Sequence, residues 1–223
     1  MVHVITTIER PREDTVRQFR QLGAATVHEA SGRKGAVDFA IKPIAKGVRL
    51  CGPAFTVQCH PGDNLMLHKA LERAQPGDVL VTTVGGCYEG GYWGGLMGTS
   101  GQARGLGGLA IDGCVRDSAE LIQMGFPIFC RGFAMRGTVK NVHGLINHPT
   151  VFGGVLIHAG DLILGDDDGL VVVERAECES VLAKARERVE AERKKAEQLR
   201  NGVTSVELNK LGRVFEALGL IEE

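Results

Sequence analysis

Two adjacent residues, Arg116 and Asp117, carry the pairing of side chains most suited to chemistry in this chain. A guanidinium presents a planar fork of donors that matches a carboxylate in two-point contact. A carboxylate beside it offers oxygen ligands to a hard divalent cation. Neighbours on a turn can face one pocket, one holding an anionic substrate and the other a metal. The plainer alternative for the same dipeptide is an ion pair that caps the helix expected to start at Ser118.

The elements around the pair give it a platform. Leu109 to Ile111 is an apolar strand that runs into a turn at Asp112-Gly113, and loops leaving the ends of buried strands commonly carry function. Upstream, Ala54 to Cys59 and Val79 to Val84 read as strands, separated by a helix from about Asn64 to Ala74 and by the turns Pro61-Gly62-Asp63 and Pro76-Gly77-Asp78. A short helix is expected near Leu96 to Arg104, a helix at Ser118 to Met124 and a strand at Pro127 to Phe133. Before them, Arg12 to Leu22 is amphipathic and a second helix should begin with Thr26 as its N-cap. This alternation indicates an α/β fold with parallel pairing. Later, Val151 to His158, Leu162 to Leu164 and Leu170 to Val173 read as short strands, the last two joined at Asp166-Asp167-Asp168-Gly169. That run lacks the spaced ligands of a calcium loop and is read as a hairpin turn. Arg175 to Arg200 is one long charged helix ended by Asn201-Gly202, and Ser205 to Leu218 a further helix. The domain reading is a single α/β catalytic domain over 1–174 and a C-terminal helical extension over 175–223.

Two further features add to the candidate site. On the long helix Val181/Leu182, Ala185, Val189, Glu192, Ala196 and Leu199 form one stripe, and Glu192 is its single charged member. A carboxylate on a packing face must be paired, hydrogen-bonded or near a metal, or else snorkel to solvent. The segment Trp93-Gly94-Gly95-Leu96-Met97 precedes a helix, where free backbone N–H groups can bind an anion. Other patterns carry less. Gly105-Leu-Gly107-Gly-Leu-Ala110 matches a dinucleotide fingerprint in letters only, because it enters a strand instead of leaving one. The seven histidines contain no His-x-x-x-His pair. Lys69 and Lys140 are conceivable Schiff-base residues that nothing in the sequence marks as desolvated.

Composition excludes several function classes. The chain has 223 residues, 43% hydrophobic and 24% charged, with a net charge of −1. No long basic run points to nucleic acid or an anionic membrane, and no segment has the roughly 18 apolar residues of a membrane-spanning helix. The N-terminus does not show the basic-then-apolar layout of a signal peptide. Six scattered cysteines, with no Cys-x-x-Cys pair, speak against zinc and dithiol redox sites and suggest a reducing, cytoplasmic setting. Eleven of the 31 glycines fall between Gly85 and Gly108, interleaved with Tyr88, Tyr92, Trp93, Leu96 and Met97. That mixture suggests close backbone approach to a ligand or to packed strands, not a linker.

Three runs together resemble a known family: Gly91-Tyr-Trp-Gly-Gly-Leu-Met, Gly107-Gly-Leu-Ala-Ile-Asp-Gly-Cys-Val-Arg-Asp, and Gly165-Asp-Asp-Asp-Gly-Leu-Val-Val-Val. They are similar to the class II pyruvate aldolases acting on 4-hydroxy-4-methyl-2-oxoglutarate and 4-carboxy-4-hydroxy-2-oxoadipate, relatives of the regulator of ribonuclease activity A. The resemblance spans roughly residues 20–205. It implies an α-β-β-α sandwich of the swivelling-domain type with a long C-terminal helix, assembled as a homotrimer or homohexamer with sites between subunits. It implies Mg²⁺ or Mn²⁺ anchored by Asp117, largely through water, and a pyruvyl group bound by Arg116. The backbone N–H groups from Gly94 to Met97 would hold the substrate carboxylate, and Glu192 would be given to a neighbour's site. The implied activity is retro-aldol cleavage to pyruvate plus pyruvate or oxaloacetate in aromatic-acid catabolism, with oxaloacetate decarboxylation beside it. The alternative within the resemblance is a regulator that binds and inhibits a ribonuclease. Many relatives carry an acidic residue after Trp-Gly, and this chain has Gly95 there.

Overall fold

Runs rich in Val, Ile and Leu form the strands, and Pro-Gly and Asp-Gly clusters end them. In the computed structural model, which describes residues 2–221, α1 (Glu13–Phe19) and α2 (Ala24–Ala30) precede a short β1 (Lys42–Pro43) and a long β2 (Leu50–Gln58). Next come α3 (Leu65–Arg73), β3 (Val79–Thr83), α4 (Gly95–Ala103), β4 (Gly108–Asp112), β5 (Cys114–Val115), α5 (Ser118–Met124) and β6 (Ile128–Cys130). They are followed by β7 (Gly132–Phe133), β8 (Leu145–Ile146), β9 (Thr150–Phe152), β10 (Val155–Ile157), β11 (Leu162–Asp166) and β12 (Gly169–Val173). A 3₁₀ turn at Arg175–Glu177 leads into α6 (Cys178–Arg200), α7 (Ser205–Leu208) and α8 (Gly212–Ala217).

The main sheet has the order β1-β6-β4-β3-β2-β11-β12, with β8 on the far end of β2. Its centre is parallel: Ala54 lies opposite Val79, Val79 opposite Gly108 and Leu109 opposite Ile128. Antiparallel strands close both sides, β1 on β6 and β11 on β2. The sheet curls until its two edges meet, and Lys42 of β1 donates through Nζ to the Asp168 carbonyl at the β11–β12 turn, at 2.6 Å. The curl produces three cores. Val79, Val81, Ala110, Phe129, Phe152 and Ile163 fill the interior between two sheet walls. Leu80, Leu109, Leu67 and Leu121 pack α3, α4 and α5 outside one wall. Leu162, Leu164, Val171 and Val173 pack α1, α2 and α6 outside the other. Alternate residues of each central strand thus enter different cores, which is why these strands are apolar on both faces.

Several elements differ from the sequence expectation. The strand expected over Pro127–Phe133 is two, because at Arg131 the chain leaves β6 and β7 pairs with β5. Arg131 reaches Asp112 and Asp38, the latter at 2.8 Å. The strand expected over Val151–His158 is a hairpin turning at Gly153 and Gly154, whose φ angles are 50° and 82°. The helix expected over Ser205–Leu218 breaks at Lys210, which is left-handed with φ 55°. α2 starts before Thr26, since its Ala24 N–H is taken by the Asp166 carboxylate at 2.8 Å. The long helix is itself divided in use. Cys178, Val181, Leu182 and Ala185 are buried in the chain's own body, whereas Val189 and Leu199 further along are exposed.

Candidate active site

A parallel pairing of two short segments builds the site. The Tyr92 N–H donates to the Cys114 carbonyl at 3.0 Å and the Arg116 N–H to the Trp93 carbonyl at 2.8 Å. Residues 91–93 therefore run beside 114–116, and the next residues in each, Gly94-Gly95 and Arg116-Asp117, are set face to face. Trp93 anchors this arrangement, fully buried and stacked on Phe126 with ring centroids 5.9 Å apart.

Asp117 adopts a left-handed conformation, φ 55° and ψ 39°, which aspartate tolerates better than most residues. Its side chain does not cap α5. The carboxylate turns back instead, and Oδ2 accepts the Gly95 N–H at 3.1 Å while lying 3.7 Å from Arg116 Nε. The two side chains keep nearly half their surface exposed, so this contact leaves both available. The two glycines opposite provide space. A Cβ on Gly94 would stand 2.5 Å from Asp117 Oδ2, and a Cβ on Gly95 would stand 2.2 Å from Glu120 Oε2.

Glu120 is the residue that the sequence reading overlooked. It sits in the first turn of α5, three residues after Asp117, a spacing that puts both carboxylates on one side of the helix start. That spacing was the signal available to find it. Its carboxylate occupies the volume that a side chain at position 95 would need. The acid missing after Trp-Gly in this chain is thus matched in space by an acid from α5.

These residues line a cleft of about 370 Å³, together with Asn64, His68, Gly91, Tyr92, Leu96, Met97, Thr138 and Lys140. Asn64 is fixed by its Nδ2, which donates to the Tyr92 carbonyl at 2.9 Å. Of the backbone N–H groups expected to hold a carboxylate, Gly95 is engaged by Asp117 and Met97 by the Gly94 carbonyl at 3.1 Å. Among the described residues only Gly94 and Leu96 keep theirs open over this segment. Glu192 is elsewhere, on the exposed half of α6, ion-paired to Arg188 Nε at 2.8 Å. Lys69 is also outside the cleft, paired with Glu72 at 2.7 Å, whereas Lys140 lines it.

Asp117 and Glu120 suit a hard cation. Among the described residues no cluster of three or more His, Cys, Asp or Glu side chains could enclose a metal. Mg²⁺, however, usually keeps several waters and takes only one or two carboxylates. Two carboxylates crowding the side-chain-free Gly94-Gly95 face fit that kind of site.

Residues 24–172 match the model of the RraA-like family, described as Aldolase/RraA. This chain belongs to the RraA-like family. The matched span contains the whole cleft and stops before α6. An RraA-like relative in Halalkalibacterium halodurans, provisionally named a 4-hydroxy-4-methyl-2-oxoglutarate aldolase, is 37% identical over 78% of this chain and 83% of its own. Among solved structures, an uncharacterized protein of Pseudomonas syringae superposes with a TM-score of 0.81 at 28% identity, covering 91% of this chain and 98% of that one. Streptomyces coelicolor RraAS2, described as an unusual member of the RNase ES inhibitor RraA family, gives 0.78 at 28% identity over 85% and 99%. The relatives of this chain thus include one with an aldolase name by sequence and one with an RNase-inhibitor family name by structure.

Proposed function

We propose that this RraA-like protein is a divalent-metal-dependent aldolase that cleaves 4-hydroxy-4-methyl-2-oxoglutarate or 4-carboxy-4-hydroxy-2-oxoadipate. The products are pyruvate plus pyruvate or oxaloacetate, and oxaloacetate decarboxylation accompanies the main reaction. The observation that carries this reading is the pairing of Arg116 and Asp117 with Glu120 across the Gly94-Gly95 face of one cleft. It gives an anion-binding fork and two cation-binding carboxylates within a site of small-molecule size.

Arg116 would hold the pyruvyl end, its fork aligned with the carboxylate and its charge beside the keto oxygen, while the open Leu96 N–H would donate to the same carboxylate. Asp117 and Glu120 would hold Mg²⁺ or Mn²⁺. When bound there, such a cation supplies positive charge against the oxygen on which the enolate develops. Breaking the C3–C4 bond needs the C4 hydroxyl proton removed, and a water organised beside these carboxylates, or a carboxylate not engaged by the cation, would take it. Oxaloacetate loses CO₂ through the same enolate, so the same groups would serve both reactions.

The assembly belongs to the proposal too. Leu96 and Val139 at the cleft rim, and Phe133 and Met135 near it, are exposed apolar side chains, and the outer half of α6 exposes Val189 and Leu199. A homotrimer or homohexamer would cover them, with residues 175–223 reaching a neighbouring copy and Glu192 supplied to its cleft. The aldolase setting would be cytoplasmic aromatic-acid catabolism.

The test is pyruvate release from 4-carboxy-4-hydroxy-2-oxoadipate and from oxaloacetate, with and without EDTA. Chelation should abolish both, Mg²⁺ or Mn²⁺ should restore both, and Asp117→Asn should resemble the chelated enzyme. Activity that survives EDTA and is trapped by borohydride would instead assign a Schiff base to Lys140, the lysine in the cleft. No pyruvate under any condition, with binding to a ribonuclease, would favour the regulator reading suggested by the RraAS2 likeness.

A further inference from the structure

The cleft has a second basic wall that the proposed chemistry at Arg116 does not use. Lys140 and His68 lie there with Thr138 and Asn64, and the two acids lining the cleft, Asp117 and Glu120, belong to the Gly94-Gly95 side. Lys69 and Lys194 are paired with glutamates, but Lys140 has no carboxylate partner among the described residues.

Lys140 is placed there by construction. Its loop is clamped onto residues 62–64 by four hydrogen bonds. The Val139 N–H donates to the Gly62 carbonyl at 3.0 Å, and the Asn64 N–H to the Val139 carbonyl at 3.1 Å. Asp63 Oδ2 accepts the N–H groups of Asn141 and Val142 at 2.5 and 2.8 Å. His68 lies on α3 four residues after Asn64, the N-cap of that helix, and both line the cleft. Burial first, and the Lys140 charge second, push its imidazolium below the usual histidine range. His68 therefore serves as a neutral donor and Lys140 as the charge.

The two basic walls are also spaced for one small molecule. Arg116 Nη1 stands 3.6 Å from the position of a Cβ on Gly137. Lys140 is three residues further along that loop, at most about 11 Å between backbone positions for an extended chain. Both side chains line the same cleft of about 370 Å³.

We propose that Lys140 and His68 form a second anion subsite, which holds the far carboxylate of a dicarboxylic 4-hydroxy-2-oxo acid while Arg116 holds its pyruvyl end. The proposal rests on the aldolase reading and assigns the residues that would choose among its substrates: Lys140 and His68 facing the end away from Arg116. Lysine contributes charge and histidine a directional N–H, so the leaving fragment is selected for its anion.

The experiment compares kcat/KM for 4-hydroxy-4-methyl-2-oxoglutarate with that for 4-hydroxy-4-methyl-2-oxopentanoate, which has a methyl group in place of the far carboxylate, in wild type, Lys140→Met and His68→Gln. Binding of 2-oxoglutarate and of pyruvate is measured by calorimetry in parallel. Losing one charge-assisted hydrogen bond should reduce the dicarboxylate-to-monocarboxylate preference in Lys140→Met by about ten- to hundredfold. His68→Gln should reduce it by a smaller factor, and 2-oxoglutarate should weaken against pyruvate in the same order. Equal losses on both substrates, or an unchanged preference with unchanged 2-oxoglutarate binding, would overturn the subsite. A wild type that turns over neither acid, yet binds 2-oxoglutarate through Lys140, would remove the aldolase reading and leave the dicarboxylate site standing.

Discussion

Arg116 and Asp117 touch each other, but neither is consumed by the contact: Asp117 Oδ2 is 3.7 Å from Arg116 Nε and is held by the Gly95 N–H instead. This distinguishes a poised pair from a structural one. Arg116→Lys keeps the charge and loses the two-point fork. The expected cost is about 1.5–3 kcal/mol, or roughly ten- to hundredfold in kcat/KM for pyruvate release. A loss below about twofold would place Arg116 outside the working site. Gly95 offers a second probe. A methyl group there displaces the Glu120 carboxylate, the end of a flexible side chain, and leaves the backbone untouched. Because the position lies in a helix, Gly95→Ala should hold or raise stability, by up to about 1 kcal/mol. Mn²⁺ affinity, followed by titration, should fall together with turnover. A variant that melts later and binds Mn²⁺ as wild type does would remove Glu120 from the cation site.

Among elements, the turns with the sequence Pro-Gly-Asp or Ala-Gly-Asp are more than punctuation. Asp63, Asp78 and Asp161, the last residue of each, are buried carboxylates that staple distant chain. Asp78 receives Arg10 in two contacts of 2.7 and 2.8 Å, and Asp161 receives the Arg175 N–H at 2.9 Å. Asp63 holds the loop that carries Lys140. Burial opposes its charge, yet the N–H groups of Asn141, Leu65 and Val142 together hold its carboxyl below the ordinary value of 3.8. An asparagine can face these donors with only one oxygen, so Asp63→Asn should cost about 1–3 kcal/mol. A depressed folded-state value means that this stabilisation is complete above pH 3.8 and is lost as the pH falls through the folded value. The stability gap between wild type and variant, from denaturant melts, should be flat at neutral pH and shrink below pH 3.8. A gap that widens on acidification would refute the assignment.

These elements also show what could be read from the chain. α5 begins at Ser118 as its sequence suggests, and the alternation over residues 54–124 gives the parallel sheet centre. Local pattern suffices there because turn residues and apolar runs agree. α2 starts earlier than its local sequence indicates because the carboxylate that takes its first N–H, Asp166, is 142 residues away, and the strand breaks at Arg131 because the partners of that side chain are Asp112 and Asp38. At the site, the dipeptide was legible from its chemistry. Glu120 shows only as a three-residue spacing from Asp117 within an ordinary helix start, and His68 and the clamp on Lys140 depend on contacts across the fold.

At the scale of the whole molecule, α6 is rooted by Cys178, Val181, Leu182 and Ala185 and then carries Val189, Glu192 and Leu199 away from the body. If its outer half serves a neighbour, Asp117→Asn and Glu192→Gln damage different subunits of one shared site. Re-assembled mixtures of the two variants should then exceed either parent in pyruvate release, because some interfaces join an intact Asp117 to an intact Glu192. Mixtures that never exceed the parents would return Glu192 to its ion pair with Arg188 as its whole role. β2 has a different consequence. It pairs with β3 on one side and β11 on the other, and it lends Phe55 and Val57 to one core, Cys51 to another and Leu50 and Ala54 to the third. Neither wall is complete without it, so no severed half of the chain holds a finished sheet. Denaturation should therefore run as one cooperative event in which the two walls are lost together, with α7 and α8 free to fray beforehand. Cutting the chain between β2 and β11 and purifying either fragment alone should yield material without a folded core, while the two fragments mixed should recover it.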